Sequence, residues 1–277
     1  MIIIAIVVVA AVACFAVIVQ HIARTYLYCP NSNKAASAVL AANPAMEQVS
    51  IYGMYSGWFV RNTEGRAPLV LFLGGRGNCA SGMILSLDHS QYWDMTSGAN
   101  FLMIDYPGYG ESPGRPSQKS IFIMARAAYD YAISRVDVDP EQIIVMGYSL
   151  GTGPATHLAS QRDIAGLVLL APYDTGVSLY NSQVDIFHGP MTLLVTQRFD
   201  SASYAEQTEV SPLIITSPSD EIIDHTLSEA LATHFPRSAD LHLIPGLNHF
   251  TYLDSPEVRT LIAAYVKAAA GHLDSSR

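Results

Sequence analysis

The chain contains short, almost continuous apolar runs that alternate with segments of helical spacing. Apolar runs of four or five residues, bounded by Gly, Pro, Asn or Asp, are typical of strands covered on both faces. Such runs predict strands at residues 58–61, 69–73, 101–104, 143–146, 167–170, 213–216 and 241–244. Helical spacing lies between most of them, notably at residues 117–134, 152–161, 224–234 and 256–272. This alternation predicts an α/β fold whose parallel sheet carries helices on both faces.

The first segment, residues 2–19, has no charge and is apolar on every face of a helix. A helix of this length measures about 27 Å, which is nearly the thickness of a bilayer core. We therefore predict a single-pass transmembrane anchor at residues 1–24 and a catalytic domain at residues 25–277, which places the protein at a membrane. Arg24 and Lys34 follow the run and favour a cytoplasmic catalytic domain.

Two alternatives to a retained anchor stay open. Ala-Val-Ala at residues 11–13 resembles the cleavage site of a signal peptide, and Cys14 is a possible acylation site of a lipoprotein. Both alternatives lack the basic residues that normally precede the apolar run, and the Ala-Val-Ala lies inside that run.

Composition narrows the possible functions. Half of the 277 residues are hydrophobic, which is enough for the core of one catalytic domain. The net charge of −9 and the lack of a Lys and Arg cluster argue against a nucleic-acid partner. Cys14, Cys29 and Cys79 are widely spaced and predict free thiols rather than a metal site or a disulfide framework. A Cys29–Cys79 pair would need both suitable geometry and an oxidising compartment.

A candidate nucleophile follows the predicted strand at residues 143–146. Residues 147–151 read Gly-Tyr-Ser-Leu-Gly, and a predicted helix comes directly after them. In this context the Gly-x-Ser-x-Gly pattern indicates a sharp strand-to-helix turn that presents Ser149 at the end of the sheet. The start of the following helix directs free N–H groups toward the same point, which favours a developing negative charge.

A catalytic serine needs a base and an acid, which are expected later in the chain in the order Asp, His. His249 lies in a glycine-containing loop after the last predicted strand, so it is the candidate base. Asp220 follows the predicted strand at residues 213–216 and is the candidate acid, with Asp174 as the alternative. All these positions lie at the carboxyl ends of strands, where ligands bind in parallel sheets.

Acyl transfer also needs backbone N–H donors for the oxyanion. We expect one from Leu150, directly after the serine, and one from Arg76 in the glycine-rich loop at residues 74–78. That loop superficially resembles a phosphate-binding loop but lacks the Gly-Lys-Ser/Thr ending.

Several separated motifs extend this pattern. They are Tyr-Cys-Pro at 28–30, Leu-Phe-Leu-Gly-Gly at 71–75, Asp-Tyr-Pro-Gly-Tyr-Gly-Glu-Ser at 105–112, the serine motif, Ser219-Asp220 and Gly-Leu-Asn-His at 246–249. From about residue 26 to 272 the chain resembles the α/β-hydrolase superfamily, in particular its Bem46-like and ABHD13/ABHD17-like branch of membrane-associated serine hydrolases. The resemblance implies a mostly parallel eight-stranded sheet, no metal and no organic cofactor. Gly74 stands where that family usually has His, so this chain lacks the imidazole that the family carries at the start of the oxyanion loop.

Residues 173–211 are longer than a simple crossover and contain five aromatic residues, so they form either a small lid over an acyl pocket or an ordinary helical excursion. The sequence favours a serine hydrolase of ester or thioester bonds, with a small-molecule or lipid-like acyl substrate. Alternatives are a serine peptidase of the same fold and a catalytically silent, membrane-tethered binding protein. No pattern specifies an oligomeric state.

Overall fold

The computed structural model describes residues 2–183 and 185–271. In this part of the chain eight strands form one sheet. They are β1 Met46–Ile51, β2 Tyr55–Val60, β3 Ala67–Leu73, β4 Asn100–Ile104, β5 Val138–Tyr148, β6 Gly166–Leu170, β7 Leu213–Thr216 and β8 Asp240–Leu243. The helices are α1 Ile2–Leu27, α2 Lys34–Leu40, α3 Ala80–His89, α4 Gln118–Ser134, α5 Thr152–Ala159, α6 Gly176–Gln183, α7 Ser201–Ala205, α8 His225–Ala232 and α9 Pro256–Gly271. Short 3₁₀ turns lie at Tyr92–Thr96, Ser149–Gly151 and Gly189–Leu194.

The order of strands is β1-β2-β4-β3-β5-β6-β7-β8. β1 pairs with β2 and β2 pairs with β4 in antiparallel fashion, and every later pair in the sheet is parallel. The mostly parallel sheet with helices on both faces confirms the fold predicted from the alternation of runs. The carboxyl ends of β3, β5, β6, β7 and β8 therefore meet at one edge of the sheet.

One strand was not predicted. β1 has the sequence Met-Glu-Gln-Val-Ser-Ile, in which only three residues are buried, and it lies at the edge of the sheet. An edge strand needs few apolar residues because one side and one edge of it face solvent. Its apolar run is therefore too short and too interrupted to be recognised from the sequence.

Alternate residues of the central strand β3 face two separate cores. Leu69, Leu71 and Leu73 pack with the apolar faces of α4 and α5. Val70 and Phe72 point the other way and pack with α3 and α9. This is the side-chain alternation that a strand imposes, and because both faces are covered it produces the continuous apolar run in the sequence.

The predicted N-terminal anchor forms a helix, α1, but the structure does not support the transmembrane part of the prediction. Within the residues that the structure describes, no helix is both long and apolar enough to cross a membrane. Phe15, Val17 and Ile18 are more than half exposed, so this helix leaves apolar side chains uncovered. Its C-terminal end is different, since Val19 and Leu27 pack against the core below α4.

Residues 26–33 comprise the end of α1 and the stretch that follows it, and they pack into the domain. Tyr28 is 4% exposed, and its hydroxyl donates a 2.9 Å hydrogen bond to the side-chain oxygen of Gln197. The backbone N–H of Cys29 donates to the hydroxyl of Tyr109, and the Asn31 carbonyl accepts from Gly110. We call residues 26–33 the N-terminal segment, and these bonds make it an integral part of the globular domain.

The excursion at residues 173–211 consists of α6, a 3₁₀ turn and α7. Four of its five aromatic side chains are at most 7% exposed and belong to the core cluster that includes α4 and α5: Tyr173, Tyr180, Phe187 and Phe199. These rings therefore hold the excursion onto the domain. Leu179 is the side chain of α6 that reaches the candidate site.

The tightest approach between β2 and β4 generates a stability prediction. A Cβ added at Gly57 would lie 2.3 Å from the Met103 carbonyl oxygen and 2.7 Å from the Cα of Ile104. Because both are backbone atoms of a paired strand, Gly57→Ala should lower the free energy of unfolding by about 1–3 kcal/mol, as overpacking does. Denaturant unfolding measures this change.

Gly271→Ala is the control, since no atom of the described residues lies within 4 Å of a Cβ at that helical position. It should leave the free energy of unfolding almost unchanged. An equal loss in the two variants would show that the close strand approach does not carry the effect.

Candidate active site

The turn after β5 holds Ser149 in an unusual backbone conformation. Its φ is 52°, in the left-handed region, and the residue is 6% exposed. The flanking glycines make the turn possible: a Cβ at Gly147 would lie 2.7 Å from the Gly151 carbonyl oxygen, and a Cβ at Gly151 only 1.9 Å from that of Leu73. Both spacings are too short for a side chain. The Gly-x-Ser-x-Gly motif is thus required by the packing of β5, β3 and α5.

Ser149, His249 and Asp220 form a hydrogen-bonded chain although they come from three separate loops. The Nε2 atom of His249 lies 2.8 Å from the Ser149 hydroxyl oxygen. Its Nδ1 atom lies 3.0 and 2.9 Å from the two carboxylate oxygens of Asp220. A carboxylate at Nδ1 fixes the tautomer in which Nε2 is free to accept the serine proton. The structure therefore brings together all three residues that the sequence singled out.

Asp220 is held by more than His249. Its Oδ1 atom accepts backbone hydrogen bonds from Ile222 and Ile223, each 2.9 Å long. Burial raises the pKa of Asp220, but the hydrogen bond and charge of His249, together with these two N–H groups, outweigh burial and lower it. The acid is therefore ionised at neutral pH, as stabilising a protonated imidazole requires.

Tyr252 is a member of the site that sequence reasoning missed. It is 1% exposed, and its hydroxyl donates a 3.0 Å hydrogen bond to Oδ2 of Asp220. Burial and the adjacent carboxylate raise the pKa of this tyrosine, so it stays a proton donor. Its position three residues after His249 was the available signal, but the direction of a loop side chain is not encoded in spacing.

Tyr148, inside the serine motif, supports the histidine loop. Its hydroxyl donates to the carbonyl oxygen of His249, and the two rings stack with centroids 5.5 Å apart. The carboxylate of Glu221 accepts from the backbone N–H of His249 at 3.2 Å. The base is thus fixed through its backbone as well as through its ring.

The candidate oxyanion donors lie on two elements that converge on Ser149. Leu150 and Arg76 both line the pocket that contains the serine. A Cβ at Gly75 would lie only 3.3 Å from the Cβ of Ser149, so the glycine-rich loop passes directly beside the nucleophile candidate. The spacing allows the backbone of this loop to approach a bound carbonyl closely.

The glycine-rich loop is braced even though Gly74 replaces the expected His. The side-chain oxygen of Asn78 accepts from Gly75 N–H at 2.8 Å, and Tyr106 donates to the Gly74 carbonyl oxygen at 2.7 Å. A Cβ at Gly74 would lie 2.7 Å from the end of Met103 and 3.1 Å from the Cβ of Asn78. Glycine therefore fits a crowded position here, and Asn78 holds the loop.

Asp174, the alternative acid, lies at the start of the excursion and does not contact His249. Its carboxylate accepts from Thr175 N–H and from the hydroxyl of Ser178. These bonds are those of a residue that caps the first turn of α6. The geometry thus favours Asp220 over Asp174.

The pocket above Ser149 has a volume of about 370 Å³. Apolar side chains from distant parts of the chain line it, among them Leu27, Leu179, Ile222 and Ile223. Tyr26 and Leu27 extend the wall from the end of α1, and the guanidinium of Arg76 lies 5.1 Å from the centre of the Tyr26 ring. The N-terminal segment is therefore part of the site.

A mostly parallel eight-stranded sheet with Ser, Asp and His side chains joined at its carboxyl edge defines the α/β-hydrolase class. Residues 68–209 match the family model for the alpha/beta hydrolase fold. The uncharacterized protein Rv2307c of Mycobacterium tuberculosis is 32% identical over 82% of this chain and 80% of its own length. This chain therefore belongs to the α/β-hydrolase superfamily, and its resemblance to the ABHD17-like branch is shown by further relatives.

One of these is human alpha/beta hydrolase domain-containing protein 17C, which is 30% identical over 54% of this chain and 44% of its own length. The match therefore spans less than half of that relative. Among solved structures, an alpha-beta hydrolase from Vibrio vulnificus matches with a TM-score of 0.67 at 19% identity, covering 86% of both chains. Est1E from Butyrivibrio proteoclasticus matches with a TM-score of 0.64 at 16% identity, covering 81% of this chain and 98% of its own.

The hydroxyl of Tyr252 gives a prediction for the site. Tyr252→Phe removes one donor from a buried carboxylate, an interaction worth about 1.5–3 kcal/mol. We expect the free energy of unfolding to fall by about that amount. We also expect kcat/KM for an activated ester to fall roughly tenfold, which corresponds to about 1.4 kcal/mol, because Asp220 holds His249 less firmly. Denaturant unfolding and steady-state kinetics measure the two effects.

Tyr265→Phe is a matched control, because its mostly buried hydroxyl donates to Ser211 and accepts from Leu167 far from the triad. It should lower stability but leave the kinetics unchanged. If both variants lose stability and neither loses activity, Tyr252 is a structural residue only.

Proposed function

We propose that this protein is a serine hydrolase that cleaves carboxylic ester or thioester bonds of acyl substrates through an acyl-enzyme on Ser149. One observation carries the proposal, namely the chain of hydrogen bonds from Ser149 through His249 to Asp220. A buried serine in a strained turn, with an imidazole nitrogen 2.8 Å from its hydroxyl, is the arrangement that activates a hydroxyl for attack.

The reaction follows from the relative positions of Ser149, His249 and Asp220. His249 takes the hydroxyl proton at Nε2 as Ser149 attacks the carbonyl carbon, and Asp220 stabilises the imidazolium. The backbone N–H groups of Leu150 and Arg76 stabilise the oxyanion. His249 then gives its proton to the leaving oxygen or sulfur as the acyl-enzyme forms. A water molecule, activated by the same histidine, attacks the acyl-enzyme and releases the acid.

The walls of the pocket support an acyl substrate. A cavity of about 370 Å³ bounded by Leu27, Leu179, Ile222 and Ile223 removes apolar surface from water when an acyl chain enters. Each buried methylene contributes about 0.8 kcal/mol. A medium-length chain therefore gains enough binding free energy to position its carbonyl at Ser149.

We further infer that the protein associates with a membrane through α1. The exposed side chains of Phe15, Val17 and Ile18 give this helix an apolar surface. The net charge of −9 offers no general attraction to anionic lipids, so apolar contact is the driving force. The end of this helix lines the pocket, so an acyl substrate in the membrane lies near the entrance.

Ser149→Ala tests the proposed mechanism. It should abolish labelling by a fluorophosphonate probe and lower kcat for p-nitrophenyl octanoate by several orders of magnitude, since loss of a triad nucleophile has cost about 10⁶. Thermal stability should change little. Ser134→Ala, at the exposed end of α4, should label and turn over normally. Turnover retained by Ser149→Ala would refute the mechanism, and preference for a peptide anilide over octanoyl esters and thioesters would indicate a peptidase.

Removal of residues 1–24 tests the role of α1. The full-length chain should stay in the membrane fraction after a high-salt wash, because apolar contact is not screened by salt. The shortened chain should be released with its activity intact, since it keeps Tyr26 and Leu27 of the pocket wall. Recovery of the protein in the supernatant, either uncleaved or cleaved near Cys14 or Gln20, would contradict membrane association through this helix.

A further inference from the structure

The active-site cleft has two chambers that share a wall. The first is the apolar pocket of about 370 Å³ that contains Ser149 and His249, which we call the acyl chamber. The second, of about 270 Å³, lies between the N-terminal segment, α3 and the loop after His249, and we call it the polar chamber. The residues that line both are Gly77, Asn78, Tyr148 and Phe250. The polar chamber therefore adjoins the acyl chamber, in which Ser149 lies, across these four residues.

The lining of the polar chamber is rich in hydrogen-bond acceptors. Asn31 donates its amide N–H to the Gly77 carbonyl oxygen at 3.3 Å, which leaves its own side-chain oxygen as an acceptor. Ser86 and the carboxylate of Asp254 add further polar groups. Among the described residues that line this chamber, Asp254 is the only one with a charged side chain.

The charge of Asp254 is not neutralised by a neighbouring cation. Asp254 is exposed, and its carboxylate forms no ion pair within the described part of the chain. The adjacent Arg259 donates to the backbone carbonyl oxygens of Leu253 and Asp254, and its guanidinium pairs with Asp94. The negative charge of Asp254 therefore remains available to a ligand.

We propose that the polar chamber is the leaving-group subsite of this enzyme and that Asp254 makes it select cationic leaving groups over neutral and anionic ones. The proposal rests on the proposed hydrolase function. With the acyl chain in the acyl chamber and the carbonyl oxygen at Arg76 and Leu150, the alcohol or thiol lies on the remaining side of the carbonyl carbon. In the reaction the serine Oγ–C bond forms, the C–O or C–S bond breaks, and the proton on His249 passes to the departing atom.

Three octanoyl esters whose alcohols carry a positive, a zero and a negative charge test this subsite. They are octanoylcholine, its neutral isostere 3,3-dimethylbutyl octanoate, and anionic 3-sulfopropyl octanoate. We expect kcat/KM to be about fivefold higher for the cationic ester than for the neutral one, the size of effect that one solvent-exposed charge exerts at short range, and lowest for the anionic ester. Raising the ionic strength should reduce the preference.

Variants at position 254 identify the source of the preference. Asp254→Asn should lower the cationic-to-neutral ratio toward the value set by the intrinsic reactivity of the two esters, and Asp254→Lys should lower it further. Each ratio is measured within one variant, so a general change in activity cancels. Glu257→Gln is the matched control, because this carboxylate is exposed on the first turn of α9 and does not line the chamber. It should keep the wild-type ratio.

The outcomes separate the two proposals. Two results would overturn the leaving-group subsite alone. The first is Ser149-dependent hydrolysis with the same kcat/KM for all three esters. The second is a cationic-to-neutral ratio of kcat/KM that stays unchanged in Asp254→Asn and Asp254→Lys. Failure to hydrolyse any of the esters, together with failure to react with a fluorophosphonate, would overturn the proposed function and the subsite with it.

Discussion

The contact between Gly151 and the end of β3 is the constraint on which the site depends. The turn after β5 packs so tightly against the Leu73 carbonyl that any side chain at residue 151 would overlap it. Ser149 adopts a left-handed backbone conformation in this turn, and the loop that begins at Gly74 lies beside the serine. The strain at Ser149 is balanced by the pairing of β3 with β5 at the centre of the sheet. One close approach thus sets the relative positions of the nucleophile candidate and the oxyanion donors.

The positions of Asp220 and His249 depend on polar contacts rather than on packing of the sheet. Asp220 and His249 lie on loops after β7 and near β8, the outer strands of the parallel region. Backbone N–H groups and Tyr252 fix the aspartate, while Tyr148 and Glu221 fix the backbone of the histidine. Tyr148 belongs to the serine turn, so it connects that turn directly to the His249 loop. The geometry of the candidate site is therefore supported from both the Ser149 side and the His249 side.

The strands and the chain of three polar residues could be predicted from the sequence, because both follow from repeating physical patterns. Fully covered strands must be apolar throughout, and polar residues just after such strands must meet at one edge. β1 escaped recognition because an edge strand does not need a continuous apolar run. Tyr252 and Asn78 escaped because loop side chains have no periodicity that reveals where they point. The transmembrane prediction rested on apolarity alone, and the sequence could not show that the same helix ends inside the domain.

The hydrogen bond between Tyr28 and Gln197 has a consequence for the order in which the protein is assembled. It joins residues 169 positions apart, and Gln197 also accepts from the N–H of Gln118 at the start of α4. The N-terminal segment, which forms part of the pocket wall, is therefore synthesised long before Gln197, its hydrogen-bond partner. Contacts of such long sequence separation carry a large loop-closure entropy and form late in folding. This hydrogen bond can form only after the polypeptide has been made at least as far as Gln197.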